Sequence, residues 1–333
     1  MTTTAFHRLF SLVLAAAACA LGGCASTSST QSDLAPGQYQ WHPERSPSGP
    51  ILVVVSIDDQ MAYVYRNGVE IARSTVSTGR EGKETPTGVF TVLQRKVEHE
   101  SSIYKGAQMP YMQRLTWTGI AMHAGELPGY PASAGCVRMP LEFSEKVFGV
   151  MHNGATVAIT RKGAQPSRSA KPADVLMASN AARPSDRAVP EGEVVWEPGK
   201  SSSGPYSILM SYADQTVYIW RNGIQIGQAP LGIAAGTSPP EGVFMMLEGS
   251  EPSDSRFPGV KMHPWSVLSI DGGNPGRDAV AAIRAQVDIP NSFQSKLSKT
   301  LTPGTILVAT RESSNASTRS GTDFSILAPE EKE

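Results

Sequence analysis

ILVVVSIDDQMAYVYRNGVEI, residues 51–71, sets the fold class of this chain. Ile51–Ile57 is a short apolar run rich in β-branched side chains and Met61–Arg66 follows a polar turn, so both read as strands. Asn67-Gly68 is a strong hairpin signal, because a two-residue turn between twisted strands needs two residues that tolerate positive φ. Strands this short, broken by frequent turns, favour a small sandwich or barrel-like sheet. The pattern predicts a mainly β chain with few helices. One helix is expected over PLEFSEKVFGVMHN (140–153), where Leu141, Phe143, Val147, Phe148 and Met151 recur at helical spacing.

The deciding stretch recurs. WHPERSPSGPILVVVSIDDQMAYVYRNGVEI (41–71) aligns without a gap on WEPGKSSSGPYSILMSYADQTVYIWRNGIQI (196–226), with 14 of 31 positions identical. Asp59-Gln60 matches Asp214-Gln215, and Arg-Asn-Gly at 66–68 matches 221–223. Weaker matches follow in the same order: TPTGVF (85–90) with SPPEGVF (238–244), AMH (121–123) with KMH (261–263), and GATVAITR (154–161) with GTILVATR (304–311). An internal duplication is expected, as two tandem small β-sandwich or barrel-like domains over 41–161 and 196–311. A chain of 333 residues is long enough for two cores.

The flanking segments have a different character. MTTTAFHRLFSLVLAAAACALGGCAS has a basic start (His7, Arg8), an apolar run from Leu9 to Leu21 and small residues up to Cys24, which is the pattern of an export signal over 1–23. Leu21-Gly22-Gly23-Cys24 resembles the lipobox of bacterial lipoproteins. That resemblance implies lipid attachment at Cys24 and a membrane-anchored protein facing the periplasm, at the outer membrane. A plain cleaved signal with incidental cysteines is the alternative. Residues 24–40 read as a flexible tether, 162–195 as a Pro- and Ala-rich linker and 312–333 as a polar, disordered tail. With 18% charged residues and a net charge of -1, the chain has no field for attracting nucleic acid.

Loss of Cys24 to lipid leaves one thiol without a partner in an oxidising compartment, Cys136 in PASAGCVRMP (131–140). A buried inert cysteine is the bland reading. The chemical reading begins with His123, which closes an apolar segment and precedes Cys136 by a Gly-, Pro- and Ala-rich loop of twelve residues. If the flanking segments pair as neighbouring strands, imidazole and thiol face each other, the minimum for an activated nucleophile. Gly135 permits close backbone approach, so its N–H and that of Cys136 are expected to point at a carbonyl oxygen. Arg138, two residues beyond the thiol, faces a substrate carboxylate if the segment is extended.

His123 with Ser133-Ala134-Gly135-Cys136-Val137-Arg138 resembles the active-site motif of the YkuD-type L,D-transpeptidases, and Thr85-Pro86-Thr87-Gly88-Val89-Phe90 resembles that family's upstream signature. The resemblance covers roughly 50–161. It implies a cysteine enzyme of bacterial cell-wall metabolism whose partners are peptidoglycan stem peptides. Cys136 would form a thioester with a tetrapeptide stem, releasing D-alanine, and an amine of another stem would resolve it. His123 carries over as base, the carbonyl of Ala124 as its orienter, and Ser133, Gly135 and Arg138 as positions around the substrate. Tyr111 and Met112 are expected in the pocket wall. Resolution by water instead would give a carboxypeptidase or hydrolase. A noncatalytic peptidoglycan-binding lipoprotein is the reading from another class.

Two positions depart from the family pattern. Ala134 stands where histidine is usual, and Ala124 where glycine usually follows the first histidine. In the second copy AGCVRMP falls opposite AQVDIP, placing Gln286 at the position of Cys136 and Asp288 at that of Arg138. That copy reads as a degenerate, noncatalytic duplicate that holds substrate, stiffens the molecule or binds a protein partner. With no phosphate loop, dinucleotide fingerprint, HExxH or paired CxxC, neither metal nor nucleotide cofactor is implied. His42, His99 and His152 lack companion ligands and read as bland.

Overall fold

The computed structural model describes residues 34–161, 167–168, 193–222, 224–250, 263–268, 278–311, 313–314 and 325–326. The expected signal, Cys24, most of the tether and most of the linker and tail lie outside the described residues. Residues 39–160 contain β1 (Tyr39–Trp41), β2 (Ile51–Ser56), β3 (Met61–Arg66), β4 (Val69–Thr75), β5 (Gly88–Thr91), β6 (Gln94–Lys96), β7 (Met112–Arg114), β8 (Ala121–Ala124), β9 (Val137–Met139), α1 (Leu141–Val150) and β10 (Thr156–Thr160). The larger sheet runs β1-β4-β3-β2-β10-β5, with β10 parallel to β2, and the smaller runs β6-β7-β8-β9. Asn67 (φ 50°) and Gly68 (φ 76°) form the tight turn between β3 and β4, as their side chains predict.

One face of the larger sheet, with Val53, Val55, Val64, Ile71, Val157 and Ile159, packs against α1 and against Met122, Val137 and Met139 of the smaller sheet. The helix buries Phe143 and Val147, one turn apart, with Met151 just beyond its end. Leu141, expected on that stripe, faces solvent at 58% exposure, because it opens the first turn where the stripe has not yet rotated inward.

The later residues supply β11 (Ser167–Arg168), β12 (Val195–Trp196), β13 (Tyr206–Ser211), β14 (Thr216–Arg221), β15 (Ile224–Pro230), β16 (Gly232–Ile233), β17 (Gly242–Met246), β18 (Trp265–Leu268), α2 (Asp278–Gln286), β19 (Val287–Asp288), α3 (Asn291–Thr300), β20 (Ile306–Thr310) and β21 (Ser325–Ile326). Their main sheet runs β12-β15-β14-β13-β20-β17-β18-β11. Its first six strands match β1-β4-β3-β2-β10-β5 one for one, including the parallel pair β13–β20. Even the register shift between Val64 and Tyr65 has its counterpart between Ile219 and Trp220.

The two large sheets share an apolar layer. Leu52, Val54, Met61, Tyr63, Val89 and Ala158 meet Leu209, Trp220, Val243, Met245, Ile306 and Val308. This explains why ILVVV carries no polar alternation: Ile51, Val53 and Val55 are buried in their own core, and Leu52 and Val54 against the second sheet. Asn67 adds a polar clasp at the rim, its Oδ1 accepting the Glu248 N–H at 2.6 Å and its Nδ2 donating to the Glu248 carbonyl at 3.3 Å. Two short pieces of the expected tail and linker are strands. Ser325–Ile326 joins β5 in parallel register, and Ser167–Arg168 of the linker joins β18, each occupying a sheet edge whose backbone groups would otherwise lack a strand partner.

Candidate active site

The small sheet positions the chemistry. β8 and β9 lie side by side in parallel, with Met122 opposite Val137, His123 opposite Arg138 and Ala124 opposite Met139. Side chains alternate along strands, so Met122, Val137 and Met139 enter the core while His123, Arg138 and, one alternation earlier, Cys136 share the opposite face. The sequence expectation of neighbouring strands is what the register contains.

Cys136 rests on Met109, Met112 and Ala121. Its thiol donates to the Gly119 carbonyl at 3.4 Å, on the turn that joins β7 to β8. Burial pushes the thiol above its ordinary value, opposed by the Ala121 N–H and by the Arg138 and Arg114 guanidiniums. His123 is 7% exposed, and its Nδ1–H donates to the Ala124 carbonyl at 2.8 Å, which leaves Nε2 as the proton acceptor. Burial holds the imidazole below its ordinary value against that hydrogen bond, with Arg138 and His99 acting in the same direction as burial. Both effects favour a neutral thiol beside a neutral imidazole at rest. The replacement of glycine by Ala124 costs nothing here, because only its carbonyl is used.

The loop before Cys136 is fixed by hydrogen bonds that the motif alone does not disclose. Ser133 is 1% exposed; its Oγ donates to the Cys136 carbonyl at 2.6 Å and accepts the Gly135 N–H at 3.1 Å. The Gly135 N–H is therefore engaged within the loop, and Ser133 holds the loop's shape from its interior. Gly135 itself is required, since its φ is 115° and a Cβ there would stand 2.9 Å from Ile120 Cδ1. Thr85 of the upstream signature completes the arrangement. Its hydroxyl donates to the Gly135 carbonyl and accepts the Gly79 N–H, both at 2.8 Å. Sequence reading noted Thr85 only as part of a motif, with no signal for the fifty-residue separation it bridges.

Other expected residues separate into those near the thiol and those elsewhere. Arg138 lies against Gly125, whose missing side chain admits it: a Cβ there would stand 3.0 Å from Arg138 Cγ and Cδ. Met112 is fully buried and packs against Cys136, so it supports the thiol from below. The Tyr111 ring packs edge-on against Phe148 of α1, centroids 5.7 Å apart, and its φ of 55° turns the chain so that Met112 reaches Cys136. His99, read as bland, lies where Arg114 and Lys96, after burial, depress its proton affinity, and it acts in turn on His123. Cys24 lies outside the described residues.

In the second sheet system Gln286 ends α2 where the first has its Gly-rich loop, and Asp288 lies buried on β19, opposite Gly232. No thiol stands there, Cys136 being the free cysteine among the described residues. Among the described residues no group of three or more His, Cys, Asp or Glu is placed to hold a metal ion. No helix of the described residues is long and apolar enough to cross a membrane.

The family model of the YkuD L,D-transpeptidase catalytic domain matches residues 50–159, the segment that contains both sheets of this site. The likeness to an L,D-transpeptidase catalytic domain is thus confined to residues 50–159, about a third of the chain. Solved structures similar to the chain include an L,D-transpeptidase from Mycobacterium smegmatis, with 20% identity and a TM-score of 0.32, covering 34% of this chain and 59% of that one. An L,D-transpeptidase from Mycobacterium tuberculosis shows 25% identity and a TM-score of 0.31, covering 34% and 58%. One from Xylanimonas cellulosilytica shows 26% identity and a TM-score of 0.30, covering 34% and 61%. This chain thus spans about three fifths of the length of these L,D-transpeptidases. No curated protein matches it.

Proposed function

We propose that the protein is a peptidoglycan L,D-transpeptidase that uses Cys136 as its nucleophile. The observation that carries this is the shared face of β8 and β9, which holds His123 and Cys136 within the matched domain. His123 Nε2 takes the thiol proton as the sulfur attacks the amide carbonyl after the third residue of a tetrapeptide stem. The carbon–nitrogen bond breaks, His123 returns the proton to the departing D-alanine amine, and a thioester remains. An amine from a second stem attacks the thioester, passes a proton through His123 to the leaving sulfur, and restores the thiol. The N–H of Cys136 is the oxyanion donor in this scheme, since that of Gly135 serves Ser133.

The thiol is not pre-ionised. Its burial favours the neutral form, so proton transfer to His123 accompanies attack, and the Arg138 and Arg114 charges offset part of the cost of the thiolate. Residues 196–311 are the degenerate duplicate, retained because their sheet covers the outer face of the catalytic one. Export to the cell envelope with lipid at Cys24 completes the reading; replacing Cys24 then releases the protein from the membrane fraction.

Intact-mass measurement tests it. Wild-type protein incubated with a tetrapeptide stem, or with a carbapenem as acylating probe, gains the acyl mass on Cys136, and C136A gains none. An unmodified Cys136 that still reacts with a small alkylating agent would refute the nucleophile.

A further inference from the structure

The face of the small sheet that holds Cys136 and His123 carries a second imidazole. The β6–β7 register continues past the ends of both strands without a slip: the Tyr111 N–H donates to the Val97 carbonyl at 2.7 Å, the Met109 N–H donates to the His99 carbonyl at 2.8 Å, and Glu100 bridges Gln108. His99 therefore stands opposite Met109, and directly opposed residues of an antiparallel pair share a face. Tyr111, at φ 55°, breaks the alternation of β7 and returns Met109 to the face of Met112, in the apolar patch on which Cys136 rests. His99 thus borders the seat of the thiol. The electrostatics agree: the charges of Arg114 and Lys96 reach His99, and the charge of His99 reaches His123. The two imidazoles differ in kind. His123 is buried with Nδ1 tied to the Ala124 carbonyl, whereas His99 is partly exposed and no hydrogen bond among the described residues engages its ring nitrogens.

An acceptor amine reaches the thioester as an ammonium at neutral pH, since an alkylammonium ionises at about 10.4, and it sheds two protons on the way to an amide. His123 carries one of them to the departing sulfur. The other needs a second acceptor, because Nδ1 of His123 already bears a hydrogen and leaves that ring one free nitrogen. We propose that His99 takes the first proton from the acceptor ammonium, directly or through one water. The ammonium N–H bond breaks toward a ring nitrogen of His99, and the freed amine attacks the acyl carbon. The carbon–sulfur bond then breaks as His123 delivers the second proton to sulfur, and the His99 imidazolium returns its proton to solvent. Burial, then Arg114 and Lys96, hold His99 below its ordinary value, so it is neutral at neutral pH, and its exposure lets it discharge. The charged groups around it are Lys96 on its own strand, Arg114 from β7 and His123 from β8, with Glu98 and Glu100 as its neighbours in sequence and Glu100 engaged by the Gly106 N–H at 2.8 Å. The inference rests on the transpeptidase reading above.

Wild type and H99Q are first loaded as the Cys136 acyl-enzyme with a tetrapeptide stem, and resolution is followed by intact mass with two nucleophiles: a stem amine, which arrives protonated, and hydroxylamine, which arrives neutral. The ratio of the amine rate to the hydroxylamine rate is expected to fall about 100-fold in H99Q at neutral pH, the lower end of what a positioned base contributes. That deficit closes as pH rises toward the amine's own ionisation, and free imidazole restores part of the amine rate in H99A. An unchanged ratio, whether both rates hold or both fall together, overturns the assignment and leaves the enzyme reading intact, since His99 would then be inert or act on His123 through its field alone. An H99Q protein that cannot be loaded although its thiol alkylates at the wild-type rate overturns it as well, and so does a wild-type thioester that no amine resolves. If wild type itself never loads while Cys136 still alkylates, the transpeptidase reading falls and this inference falls with it.

Discussion

Thr85→Val removes one hydroxyl and almost no volume, yet it strikes the bracket that holds the loop before Cys136. Thr85 is 4% exposed, and its Oγ1 serves the Gly79 N–H and the Gly135 carbonyl in a buried setting. Each of these backbone groups loses its partner in the valine protein, at about 1 to 3 kcal/mol apiece, so the expected loss is about 2 to 6 kcal/mol. That is a large share of the stability of an ordinary domain, about 5 to 15 kcal/mol. Release of Gly135 also frees Cys136 to move, and a displacement of about 1 Å at a reacting atom lowers rate by about 100-fold. Urea unfolding gives the first quantity and Cys136 acylation by a stem peptide gives the second, with Thr85→Ser restoring most of both. A valine protein within about 0.5 kcal/mol of wild type would refute the bracket. A protein destabilised but acylated at the wild-type rate would show that Thr85 supports the fold and not the nucleophile.

Three further outcomes are expected. Because burial raises the Cys136 thiol and lowers the His123 imidazole from their ordinary values, alkylation by iodoacetamide should keep climbing as pH rises past the range of an ordinary thiol; a flat, fast rate persisting into mild acid would signal a resting thiolate–imidazolium pair instead. Gly135→Ala puts a side chain at φ 115° and 2.9 Å from Ile120 Cδ1, costing about 1 to 3 kcal/mol and slowing acylation more than it lowers the unfolding midpoint; equal acylation rates would contradict the required conformation. Leu209→Ala, in the layer shared by the two large sheets and remote from the thiol in sequence, should cost about 2 to 5 kcal/mol in one cooperative transition. A calorimetric trace with two transitions, only one of them shifted, would mean the sheets fold independently.

Much of the architecture was legible because it rests on local chemistry. Asn67-Gly68 announces its own turn, Phe143 and Val147 their helix face, and the apolar segments ending at His123 and starting after Cys136 their neighbouring strands. What escaped depends on which partner each group meets in the folded chain. A glycine's conformational freedom does not say where its N–H will point, and Gly135 uses it to reach Ser133. No sequence signal announced that Tyr111 adopts a positive φ and packs its ring on α1. The unbroken apolar run of β2 was read as a strand without its reason, which is a second sheet on its far face. Arg114 carried no motif, and only the β7–β8 register brings it level with the thiol.

The central claim is that Cys136, activated by His123, forms a thioester with a stem peptide. Intact mass of the full-length protein after exposure to a tetrapeptide stem tests it most directly, with peptide mapping to locate the adduct. The expected result is an added tripeptide acyl group on Cys136, accompanied by free D-alanine, slowed by about 100-fold or more in H123A and absent in C136A. No adduct on a folded protein whose Cys136 still alkylates, or an adduct undiminished in C136A, would contradict it.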